Sequence, residues 1–144
     1  MCGRFTLHAQ PKELVELFGL DELPEELRPR FNIAPSQSIP AVGLKADGVH
    51  SGLTFFKWGL VHSWAKSSKE AIKPINAKAE TVATMPMFRD SFRTKRCIIP
   101  VDGFYEWKVA SKEKQPYHIR MKSDCFSASR GSGANGRVTV TVTA

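Results

Sequence analysis

Three cysteines in 144 residues are too few and too scattered to build a disulfide framework. Cys2, Cys97 and Cys125 contain no Cys-x-x-Cys pair, which also argues against a zinc ribbon. An odd, sparse set of this kind fits reduced thiols in an intracellular protein. A zinc site made from the three with a histidine would lack any pair at chelating spacing, so no metal and no cofactor are expected. The chain carries no Walker or dinucleotide-binding glycine motif and no internal repeat. It also lacks an apolar run near membrane-spanning length and the apolar centre of a signal peptide. The expected setting is therefore away from membranes, in the cytoplasm on the nucleoid of a bacterium or in a eukaryotic nucleus.

What is present is ordinary in bulk and biased in charge. With 42% apolar and 24% charged residues, the chain can bury one core but is too short for two comfortable domains. Lys and Arg number 21 against 14 Asp and Glu, a net charge of +7. Such an excess either attracts a polyanion such as nucleic acid or simply maintains solubility.

Local patterns give a coarse map. Phe5-Thr6-Leu7 reads as a buried strand, and Pro11 opens a short helix with Leu14, Val15 and Phe18 on one face and Gly19 as its stop. Two prolines hold Arg28–Pro35 extended. Ser38–Leu44 and Leu53–Leu60 read as a hairpin. Residues 61–74 read as a surface loop in which Trp64, among Lys66, Lys69 and Lys73, either stacks on a base or tucks into the core. Ile75–Arg93 has helical spacing in two pieces broken at Pro86, with Arg89 and Arg93 four apart on one basic face. Cys97–Val101, Phe104–Lys108 and Pro116–Lys122 read as strands. Residues 1–122 form the expected domain, and 123–144 a Ser/Gly-rich linker ending in a candidate terminal strand, Arg137–Thr143.

Two positions stand out chemically. Cys2 becomes the N-terminus if Met1 is removed, and then one residue offers both a thiol and a free amine. Unperturbed, these titrate near ~8.5 and ~7.7–8.0, so each is partly reactive near neutral pH. Such a 1,2-aminothiol can condense with an aldehyde through an imine and close to a thiazolidine, which an interior cysteine cannot do. Gly3 permits close backbone approach and Arg4 offers an anion contact. Glu106 lies among Phe104, Tyr105 and Trp107 and shares a strand face with Phe104 and Lys108. It is either one half of a cross-strand ion pair or a carboxyl tuned by partial burial for proton transfer.

Five motifs occur in order: Met1–Phe5, Arg30–Pro35, Trp58–Trp64, Ile75–Thr81 and Cys97–Trp107. Together they resemble the SOS response-associated peptidase family of abasic-site processing proteins, over residues 1 to about 122. The resemblance implies an α+β fold with short helices around a curved, barrel-like antiparallel sheet, incomplete at its C-terminal end. It further implies a monomer that binds single-stranded DNA containing abasic sites, removes its own Met1 and forms a thiazolidine crosslink through Cys2. Asn76 would then position the amine and the sugar, Glu106 would shuttle protons, Arg4 would contact phosphate and Trp64 would lie beside unstacked bases. Two departures follow from the same resemblance. Lys78 stands where the family usually has arginine, which keeps the charge but loses the bidentate fork. A later family histidine has no counterpart, since His8, His50, His62 and His118 lie in other contexts, and the tail reads as altered or truncated. A non-covalent single-strand-binding module and an inactive product are the competing expectations.

Overall fold

A computed structural model describes residues 2–49, 51–61, 73–110, 113–122, 127–134 and 137–142. Trp64, Cys125 and most of the lysine-rich stretch therefore lie outside the described residues.

Two sheets pack face to face. The smaller has the order β2 (Arg30–Ile33), β1 (Phe5–Leu7), β7 (Gly103–Ala110), β8 (Glu113–Arg120), antiparallel throughout. The larger runs β4 (Ser51–Trp58), β3 (Ser38–Leu44), β6 (Arg96–Val101), β9 (Ser127–Ala134), β10 (Arg137–Val142), β5 (Asn76–Lys78). It is antiparallel except where β10 runs parallel to β5 and, over two residue pairs, to β4. The antiparallel α+β fold with few, short helices is the expected class. The sheets remain two layers and do not close into one barrel.

The core lies between the layers. Phe5, Leu7 and Ile33 from the small sheet meet Ile39, Ala41, Trp58, Ile99 and Val101 from the large one, all buried. Alternation explains the choice, because β1 presents Phe5 and Leu7, and β3 presents Ile39 and Ala41, inward at every second position. Phe5 and Trp58 form the central aromatic contact, with ring centroids 5.3 Å apart at 57°.

Helix α1 (Pro11–Phe18) caps one end of this sandwich. The Gln10 backbone N–H donates to the Glu13 carboxylate at 3.1 Å, Pro11 sits where no N–H is needed, and Gly19 closes the helix at φ 58°. Its Leu14 packs with Leu20, Val42 and Leu53 in a second cluster. Burying such a side chain stabilises by about 1.5–3 kcal/mol.

Two local expectations give way. The first half of the helical reading of Ile75–Arg93 is instead β5 followed by turns, and only Arg89–Thr94 (α2) is helical. Asn76–Lys78 pairs with Val140–Val142, more than sixty residues on, and a local period cannot register such a contact. Ala77 turns inward to Leu60, Val82 and Phe88. Likewise the Ser/Gly-rich stretch read as linker contains β9, inserted between β6 and β10. Its residues are poor strand formers alone, but two flanking ladders hold the backbone.

Candidate active site

The strands converge at the start of β1. Cys2 is half-buried against the intersheet core, on which Phe104 also packs. Its thiol faces the Arg4 carbonyl at 3.7 Å, and the same carbonyl accepts the Tyr105 N–H at 2.9 Å. The N-terminal segment is thus tied to β7 just before β1 begins. Downstream, Asp102 accepts the backbone N–H groups of His8 and Ala9 and fixes the other end of β1.

Asn76 comes from the opposite sheet. Its amide Nδ2 donates to the Cys2 carbonyl at 2.8 Å. Because a carbonyl can only accept, that bond also fixes which way the amide faces. Its other atom, Oδ1, is buried and has no hydrogen-bond partner. An unsatisfied buried acceptor costs about 1–3 kcal/mol. A donor supplied at the cysteine end would remove that cost.

Glu106 completes the group. Phe5 pairs with Phe104, whose ring packs on the core, and the strand period of two puts Glu106 on that inner face. It is half-buried. Burial pushes the Cys2 thiol above its ordinary range, the Arg4 backbone partly offsets this, and the Glu106 charge adds to the rise. The Glu106 charge is therefore felt at the sulfur.

The remaining expected residues divide. Arg4 is half-buried and donates to Asn32 Oδ1 at 2.7 Å, which uses one of five guanidinium donors. Lys78, exposed, shares the Asn76 face of β5. Arg89 and Arg93 lie elsewhere, on α2, where with Arg96, Asp90, Ala83 and Phe92 they line an open hollow of about 590 Å³. Arg89 also contacts Asp90 at 3.5 Å. Trp64 lies outside the described residues. His118 is placed by the other face of the small sheet, with Nε2 3.3 Å from Thr6 Oγ1 and its ring 4.9 Å from that of Tyr105. Gly103 is required there, since a Cβ would stand 2.5 Å from the imidazole.

Asn32 and Trp58 were not singled out by residue chemistry. Both sit inside quoted motifs, Arg30–Pro35 and Trp58–Trp64, and that is the only signal the sequence held for them. Among the described residues no cluster of His, Cys, Asp and Glu could hold a metal ion, and no helix is long and apolar enough to cross a membrane.

Comparison with known proteins adds an independent line. The profile of the family described as SOS response associated peptidase (SRAP) matches residues 1–132. The chain is 46% identical over 134 residues to the abasic site processing protein YoqW of Bacillus subtilis (strain 168), covering 91% of this chain and 59% of YoqW. It is 32% identical over 126 residues to the abasic site processing protein YedK of Escherichia coli (strain K12), covering 83% of this chain and 53% of that one. The crystal structure of a phage-related protein from Bordetella bronchiseptica is similar in fold, with a TM-score of 0.78 at 25% identity, over 99% of this chain and 69% of that one. The chain thus spans between half and three fifths of the length of these two curated relatives.

Proposed function

The chain belongs to the SOS response associated peptidase family, and from that footing we propose that it captures abasic sites in single-stranded DNA through Cys2. The observation that carries the proposal is the Asn76 amide, bonded to the Cys2 carbonyl while its own oxygen is buried without a partner. Removal of Met1 creates an ammonium or amine at the residue this amide already holds. The amine donates to Asn76 Oδ1 and is thereby aimed at an incoming aldehyde.

The chemistry follows from the thiol's environment. A thiol held neutral by burial is a poor first nucleophile near neutral pH, so nitrogen attacks first. The amine adds to the aldehyde carbon of the ring-opened sugar and gives a carbinolamine. Glu106 in its acid form protonates the departing hydroxyl, water leaves and a protonated imine remains. The Cys2 thiol passes its proton to Glu106 and the sulfur adds to the iminium carbon. The iminium electron pair returns to nitrogen, and the thiazolidine closes. The net change is aldehyde plus aminothiol to thiazolidine plus water, with the Glu106 acid restored. Glu106 acts as acid and then as base, the role its position toward the sulfur suits.

Arg4, Lys78, Arg89 and Arg93 are assigned to phosphates and Trp64 to base stacking, and the protein works as a monomer on nucleoid or nuclear DNA without a cofactor. Release of Met1 is assigned to the same site, as self-processing. The test is incubation of Met1-free protein with single-stranded DNA carrying one abasic site, followed by denaturing electrophoresis. A shifted band that is lost in Cys2→Ala supports capture. A band that persists unreduced in Cys2→Ala ends the proposal.

A second reading, non-covalent binding of single strands, draws on the arginine-lined hollow and the net charge of +7. It entails steeply salt-dependent binding with no adduct.

A further inference from the structure

Trp58 has no part in the chemistry above, yet its side chain is among the largest fully buried ones, 1% exposed. Its backbone is clamped from both sides: Ser36 N–H donates to the Trp58 carbonyl at 2.9 Å, and Trp58 N–H donates to Gln37 O at 2.9 Å. The indole ring packs on Phe5 of β1, three residues from Cys2. Its Nε1–H donates to the Ile75 carbonyl at 2.8 Å, in the peptide unit that leads into Asn76. Gly59 then takes φ 130°, a conformation L side chains rarely adopt, and Leu60 N–H reaches Pro74 O at 3.0 Å. The end of β4 therefore grips residues 74 and 75 at two consecutive carbonyls.

We infer that Trp58 is a positioning residue for the Asn76 amide: its indole N–H anchors the Ile75 carbonyl, so the side chain that holds Cys2 projects from a fixed backbone. The geometry is economical in reach. One buried ring touches the strand that begins three residues after the nucleophile and bonds the peptide that presents its partner. Three-residue β5 is too short to set its own height against β1, and its ladder bonds go to β10, not toward Cys2. Among the described residues, the ties between the two elements beyond the Asn76–Cys2 bond are Trp58 and the packing of Ile75 on the shared core. Trp58 touches neither the aldehyde nor the reacting atoms, so it acts on rate only through Asn76. The inference rests on the capture reading for its kinetic consequence, while the placement of Asn76 can be read without it.

The experiment replaces Trp58 with β-(3-benzothienyl)alanine, which keeps the ring volume and removes only the donor. Trp58→Phe serves as a second variant, and thermal melting verifies that each is folded. Two readouts are taken on Met1-free full chain. In the first, the Asn76 side-chain NH2 resonances are followed by nitrogen-edited NMR. Loss of the indole donor should shift them and speed their exchange with solvent by roughly tenfold or more, and unchanged resonances in a folded variant would overturn the inference. In the second, the rate of adduct formation with abasic single-stranded DNA should fall roughly ten- to a hundredfold, as for a slightly misplaced catalytic amide. In an Asn76→Ala background the same replacement should have no further effect. An equal loss in both backgrounds would show that Trp58 acts on something other than Asn76, and would also overturn it. If the unaltered protein forms no adduct, the capture reading fails alone and the NMR result still decides the role of Trp58.

Discussion

Cys2 and Cys97 are both half-buried thiols, and burial raises both, yet the structure surrounds them differently. Cys97, on β6, is pushed up to about 11 by desolvation alone. Cys2 is raised by burial too, but a carboxylate and a backbone group also act on it, and an oriented amide holds its carbonyl. A perturbed thiol is therefore no mark of reactivity here. What separates the two is the polar company: Glu106, Asn76 and the Arg4 carbonyl act at one, and burial alone at the other.

The sharpest way to break this contrast is to exchange the thiols' roles. Cys2→Ala should abolish denaturation-stable adducts with abasic DNA, leaving at most an imine that borohydride can trap. Cys97→Ala should crosslink at the rate of the unaltered chain, and gel quantification over time distinguishes the two.

Glu106→Gln should move two rates in opposite directions. Adduct formation should slow about 10²–10⁴-fold, the usual worth of a general acid–base group. Alkylation of Cys2 by iodoacetamide near neutral pH should speed up, because removing a negative charge lowers the thiol's pKa. Peptide mass mapping separates Cys2 from Cys97. If alkylation also slows, Glu106 does not act on the sulfur as described.

Packing sets the next effect. Leu14→Ala removes the buried side chain that anchors α1 and should cost about 2–5 kcal/mol in urea unfolding. Because α1 packs away from the Cys2 cluster, adduct formation by the folded variant should be nearly unchanged.

The smallest effect concerns pH. A thiol whose folded value is about 11 against an ordinary 9.0 leaves stability intact below about 9 and reduces it as pH climbs through about 11. Cys97→Ala should flatten that alkaline decline in thermal melts, with little change at neutral pH beyond the loss of one buried sulfur.

Much of the small sheet was legible because its cues are local. Phe5–Leu7, the alternation of Phe104–Lys108 and the face shared by Phe104 and Glu106 all follow from a period of two. Helix α1 announced itself through Pro11 and Gly19. The large sheet was harder. β5 holds Asn76, but its pairing partner is β10, and β9 is serine, glycine and alanine apart from Arg130, a composition that local propensity assigns to a loop. The candidate site shows the same split. Cys2 and Glu106 could be argued from chemistry and periodicity, whereas Asn76 came from family resemblance. The ties from Asn32 to Arg4 and from Trp58 to Ile75 depend on contacts between segments far apart in sequence.

The central claim is most directly tested by intact mass spectrometry of the full chain before and after incubation with a single-stranded oligonucleotide bearing one abasic site. The account predicts a protein that has lost Met1 and, after incubation, a product equal to protein plus oligonucleotide minus one water. A chain that keeps Met1, or an adduct that forms while Met1 is still attached, would contradict it.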